Sequence, residues 1–283
     1  MSLEKVVADL REKVEHRYYG KYRGFVVDNV DPEHLGRLTV RVPSVLGEDV
    51  VTGWALPCVS YGGAADQGFL FIPEKKAGVW VEFEEGDLEF PIWTGTFWSA
   101  PSGDSELPKP NDAEGEESDA VQDPPTRKMI KTLKKHTIQF EDADKAEMIM
   151  IVDGVNKHVI TLDQSGIKIT DGIQQHMITL DKNGITISEG SGKSKLILAN
   201  DKVTLQHDDS SPLIVIDSSS VKVGSERAIE PFVLGNQLKG NVNSFLVSLA
   251  THTHVASSMG GPTTPPSGPF NLEIPVSSKH TVE

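Results

Sequence analysis

The residues in this chain best suited to ligating a metal are His252 and His254. At i and i+2 on an extended segment both imidazoles project to one side, and around a three-fold axis six such nitrogens would make an octahedral set. Thr251 and Thr253 could hydrogen-bond behind them. Taken alone, a His-x-His in a surface loop is solvated, and in a helix the two rings would diverge. His136, His158 and His176 stand beside the first apolar residue of successive repeats and are expected at a surface edge, in a structural role. Gly190-Ser191-Gly192-Lys193-Ser194 has the end of a phosphate loop, but Ile187 stands where that motif needs its first glycine and strand patterns flank it, so it reads as a turn. The paired carboxylates Glu84-Glu85 and Glu116-Glu117 have nothing around them to raise a pKa, and H-E-x-x-H, G-x-S-x-G and Asn-x-Ser/Thr motifs are absent. No enzymatic chemistry is expected.

These residues sit in an unusual chain. Of 283 residues, 41 are acidic and 27 are Lys or Arg, a net charge of -14 that disfavours a nucleic acid or an anionic membrane as the main partner. The apolar share is 37%, with 6% aromatics, 25 Gly and 17 Pro, which favours an elongated or multi-chain body over a compact enzyme. The one cysteine, Cys58, reads as a buried structural thiol. No run approaches the roughly 18 apolar residues of a membrane span, and the first residues are charged throughout. The expected product is soluble in the cytoplasm and, if it leaves the cell, does so by lysis or through a dedicated machine.

Composition divides the chain into five parts. Residues 1–20 form a docking helix, capped by Ser2, with Leu3, Val6, Val7, Leu10 and Val14 at helical spacing and Gly20 as the stop. Residues 21–99 carry short β runs at 24–30, 38–42, 51–59, 69–72, 79–83 and 92–98, which suggest a small closed barrel. Residues 100–126 are acidic and Pro-rich, bury too little to order themselves and read as a linker. The basic run Arg127, Lys128, Lys131, Lys134 and Lys135 is read as local charge balance. Residues 127–224 are a repeat needle, and 225–283 a tip region.

The needle is the most informative part. His158-Val159-Ile160-Thr161-Leu162-Asp163-Gln164-Ser165-Gly166-Ile167-Lys168-Ile169 returns 18 residues later as His176-Met177-Ile178-Thr179-Leu180-Asp181-Lys182-Asn183-Gly184-Ile185-Thr186-Ile187. Looser copies follow, and one precedes at His136. Each copy is two short alternating strands joined by an Asp-x-x-Gly turn, with Ile160, Leu162, Ile167 and Ile169 on one face and Thr161 and Lys168 on the other. Two apolar residues per strand are too few for a single-chain β-helix and suit three chains meeting on one axis, so 136–224 is expected to be a trimeric β-prism. Ten strands would make a rod of roughly 50 Å. In the tip region Leu238, Val242, Phe245 and Leu249 follow a heptad, weakened by Gly240, and a last strand is expected at 272–276.

Asp28-Asn29-Val30-Asp31-Pro32, Leu35-Gly36-Arg37-Leu38-Thr39-Val40-Arg41-Val42-Pro43, Gly68-Phe69-Leu70-Phe71-Ile72-Pro73-Glu74, Val79-Trp80-Val81-Glu82-Phe83-Glu84-Glu85-Gly86-Asp87 and Pro91-Ile92-Trp93-Thr94-Gly95 resemble the N-terminal OB-fold of contractile-tail baseplate spike proteins, the family of phage baseplate assembly protein V and VgrG-like spikes. The resemblance implies an all-β chain with short helices, an OB-fold barrel followed by an intertwined trimeric β-helix. It also implies a homotrimer at a baseplate centre, bound to hub and tail tube, with a tip that meets the target envelope, can take a capping protein, and holds iron or another divalent transition metal. A trimeric fibre or adhesin recognising a surface ligand is the alternative. An OB-fold nucleic-acid binder is disfavoured by Glu82, Glu84, Glu85, Asp87 and Glu89.

Overall fold

A computed structural model describes residues 3–15, 17–119, 123–208, 213–233, 235–252, 274 and 276–282. The chain divides into two units, Met1–Pro108 and Lys109–Glu283.

The first unit opens with α1 (Leu3–Glu15), which ends before the expected stop at Gly20. Its apolar stripe touches no core: Leu3, Val7, Leu10 and Val14 are all exposed. A five-stranded sheet follows, with β1 (Tyr22–Asp28), β2 (Thr39–Arg41), β3 (Leu56–Pro57), β4 (Gly78–Phe83) and β5 (Pro91–Thr96) in the order β2-β1-β4-β5-β3. Bridges Leu38↔Ala55 and Arg41↔Val51 tie β2 to the segment entering β3, so the sheet curls back towards itself as an OB-fold does. Inward alternation buries Val26, Val40, Val79, Val81 and Trp93 in one apolar core.

Two expectations fail here. Residues 69–72 are not a strand. Tyr61, Phe69 and Phe71 pack ring against ring at the surface, where Gly62 and Gly68, both at positive φ, turn the loop out of the sheet. Cys58 is exposed rather than buried, although its backbone N–H still donates to Trp93 O at 2.8 Å.

The second unit is a 13-stranded sheet. From β6 (Arg127–Lys131) through β7 (Thr137–Glu141), β8 (Met148–Val152), β9 (Val159–Asp163), β10 (Gly166–Thr170), β11 (Met177–Asp181), β12 (Gly184–Ser188), β13 (Ser194–Leu198), β14 (Lys202–His207) and β15 (Leu213–Asp217) to β16 (Val221–Val223), each strand pairs antiparallel with the next. Then β17 (Glu230–Val233) leads into α2 (Gly235–Thr251), where the heptad was expected and where Gly240 is tolerated. The last strand, β18 (Val276–Val282), lies C-terminal to the expected 272–276 and inserts between β17 and β16, parallel to β16.

Candidate functional site: an uncovered apolar ladder

Antiparallel register turns the repeat into two columns of apolar side chains, all aliphatic but Phe140. One runs Ile138, Ile151, Ile160, Ile169, Ile178, Ile187, Leu196, Leu205, Ile214, Val223, each paired with the next. The other runs Phe140, Ile149, Leu162, Ile167, Leu180, Ile185, Leu198, Val203, Ile216, Val221. At about 4.8 Å per strand these columns extend over roughly 45 Å.

The two faces are buried unequally. On the ladder Ile151 is 44% exposed and Ile187 42%, while behind it Gln139 and Met150 are fully buried and Thr137, Thr161 and Thr204 nearly so. A single chain therefore buries Thr and Gln side chains beside Met150, Val152 and Val159 on one face and leaves a continuous apolar ladder half-exposed on the other, more than a solitary folded chain usually shows. Covering the rest of each ladder side chain is worth on the order of 1 kcal/mol.

Residues 109–119, assigned to a linker by composition, cover part of the opposite face, not the ladder. Gln139 holds the backbone of Asn111 as a strand would, its Oε1 accepting Asn111 N–H at 2.9 Å and its Nε2 donating to Asn111 O at 3.0 Å. Gly115, at φ 85°, presses on Val159, where a Cβ would stand 2.5 Å from Cγ2. Glu117 receives Lys131 Nζ at 2.8 Å and Lys135 Nζ at 2.5 Å, and these two ammonium groups hold its carboxyl at about 2. The segment is ordered by hydrogen bonds and ion pairs, which apolar content does not report.

One edge of the sheet is a stack of wide turns. In each, a carboxylate caps its own turn: Asp153 accepts Val155 N–H at 3.0 Å and Asp171 accepts Gln174 N–H at 2.8 Å. Those bonds draw both carboxyls below the usual carboxylate range. The histidines bridge neighbouring turns. His136 Nδ1 lies 3.1 Å from Asp153 Oδ1, His158 Nδ1 accepts Gly172 N–H at 3.1 Å, and His176 Nδ1 accepts Gly190 N–H at 2.9 Å. In the Gly190–Ser194 turn the amides of Ser191, Lys193 and Ser194 all donate to Glu189, whose carboxyl is held at about 2, led by the Ser191 hydroxyl. A phosphate would find those donors already used.

Sequence reasoning missed the glycines beneath these turns. Gly154, Gly172 and Gly190 recur every 18 residues, and a Cβ on them would lie 2.3 Å from Lys134 O, 2.2 Å from Asn156 O and 1.6 Å from Gln174 O. The signal was the acidic-Gly dipeptide at the repeat period.

Residues 22–98 match the model of the Type VI secretion system/phage-baseplate injector OB domain. Residues 22–98 are a baseplate-injector OB domain. No curated protein matches the chain.

Within the injector OB domain, the motif residues Asp31, Gly36, Arg37 and Trp93 lock one loop onto the barrel. Asp31 accepts Leu35 N–H at 2.8 Å, Glu33 N–H at 3.0 Å and Arg37 Nη2 at 2.7 Å. The Arg37 guanidinium holds the Asp31 carboxyl well below the usual carboxylate range. Trp93 Nε1 donates to Gly36 O at 3.1 Å, fixing the loop over the core.

Of the two histidines expected to ligate metal, His252 is the first residue beyond α2, with Nδ1 against Leu249 O. His254 lies outside the described residues. Among the described residues no group of three or more His, Cys, Asp or Glu side chains is placed to hold a metal, and no helix is long and apolar enough to cross a membrane.

Proposed function

We propose that this chain is the central spike of a contractile injection machine, a phage tail baseplate or a related particle. Three copies join a hub and tail tube through their injector OB domains, and the sheet repeats wind into a needle that pierces the target envelope. Its work is mechanical, and no residue is assigned a catalytic role.

The observation that carries this reading is the apolar ladder, half-exposed along the ten antiparallel strands β7 to β16 that follow a baseplate OB domain in sequence. Three such faces meeting on one axis would dry every ladder position at once. Sedimentation equilibrium should return three times 30.8 kDa. A stable single chain would overturn the reading.

The tip is proposed to hold iron or another divalent transition metal on the His252 and His254 side chains of three copies, and to take a capping protein. The contact of His252 Nδ1 with the Leu249 carbonyl is of the kind that orients a metal-bound imidazole. Elemental analysis of untagged protein should find about one metal per three chains, lost when both histidines are replaced by alanine. Metal-free, fully folded trimers would remove the site.

A further inference from the structure

We propose that α1 of one copy lies across the outer wall of a neighbouring copy's injector OB domain. The inference rests on the proposed three-chain assembly.

Both surfaces are unfinished in the single chain. On α1, Leu3 is 79%, Leu10 56% and Val14 70% exposed. On the barrel, β1 and β4 turn an aromatic patch outward. Phe97 lies flat on Gly78, where a Cβ would stand 2.7 Å from the ring, and packs on Trp80 at 5.2 Å and Phe25 at 6.2 Å between centroids. Arg23 stacks over both Trp80 and Phe97, 5.8 and 5.5 Å from their centroids. Aromatic rings with a stacked arginine are the composition of an interface centre.

The occupant follows from the helix. Leu3, Val7, Leu10 and Val14 are spaced four, three and four, which puts leucine at d and valine at a. That pairing favours two-stranded coils, so three α1 helices bundled on a three-fold axis would be a poor match. The helix does not cover its own wall. Its root is pinned at the other end of β4, where Arg17 Nη1 meets Asp87 Oδ2 at 3.0 Å and Tyr18 N–H donates to Gly86 O at 2.9 Å. A neighbour's wall fits in size and charge. Thirteen helical residues span about 20 Å and the seven of β1 about 23 Å. Arg23 and Arg41 lie beside the patch, and α1 carries four acidic residues, Glu4, Asp9, Glu12 and Glu15, to three basic ones, Lys5, Arg11 and Lys13.

The test places one cysteine on each surface, Val7→Cys and Phe25→Cys, in full-length protein carrying Cys58→Ser. A short bismaleimide should then link chains into covalent dimers and trimers, whereas Val7→Cys or Phe25→Cys alone should give no linked chains. Linkage confined to one chain, linked dimers from Val7→Cys alone, or no linkage each overturns the proposal. Sedimentation of the same samples separates this outcome from the assembly reading, since trimers without cross-links refute only the docking of α1.

Discussion

Replacing Ile169 with aspartate should break the assembly into single chains while the injector OB domain stays folded. Ile169 sits mid-ladder between Ile160 and Ile178, 39% exposed in one chain and fully enclosed if three ladders meet. Each copy would then bring one carboxylate to the axis, three like charges in a dry core with no cation facing them. An uncompensated buried charge costs about 3–5 kcal/mol, and symmetry applies that cost three times. Lys168→Asp is the matched control, with the same new side chain one position away on the opposite face. Sedimentation should fall from three times 30.8 kDa to one for Ile169→Asp and hold for Lys168→Asp. The four tryptophans, Trp54, Trp80, Trp93 and Trp98, all lie in the first unit, so their emission reports the OB domain alone and should not change. Equal sedimentation of the two variants would show that the ladder is not an interface.

The ladder is legible in the repeat alone. An 18-residue period with alternating apolar residues fixes which side chains share a face, because a slip of one residue would turn the whole set over. Motif spacing likewise identifies the OB domain. The misses share a different physics. Residues 69–72 have strand composition, yet their rings are satisfied by one another and by Tyr61, so local pairing replaces sheet pairing. Residues 109–119 look unable to fold because they lack apolar groups, but the buried amide of Gln139 and the cations Lys131 and Lys135 order them. The first depends on ring contacts within one loop and the second on partners distant in sequence, and composition assigns neither. The metal pair stands apart, since only His252 falls among the described residues.

Gly172→Ala should loosen the second unit more than an alanine at a glycine twenty residues on. Gly172 does not need its freedom of φ; it needs the absence of a side chain. A Cβ there would stand 2.2 Å from both Asn156 O and Lys157 O, so the turn at 171–176 would have to lift from the turn at 153–158 by most of an ångström. Strand spacing is fixed by the backbone bonds of β9, β10 and β11, so that lift strains the pairing and the contact from His158 Nδ1 to Gly172 N–H. Overpacking of this kind costs about 1–3 kcal/mol per site, and a backbone neighbour that cannot rotate away puts it at the upper end. Gly192 offers the contrast: its φ of 73° disfavours alanine, but nothing lies within 4 Å of the new methyl group. That substitution carries only the left-handed backbone penalty, about 1–2 kcal/mol. At roughly 2–4 °C per kcal/mol for a unit of this size, Gly172→Ala should lower the melting temperature followed by far-UV circular dichroism by about 10 °C, and Gly192→Ala by about one third to two thirds of that. Gly190→Ala, with its Cβ only 1.6 Å from Gln174 O, should match or exceed Gly172→Ala. Equal melting of the Gly172 and Gly192 variants would mean that the turns are not stacked as closely as these distances require.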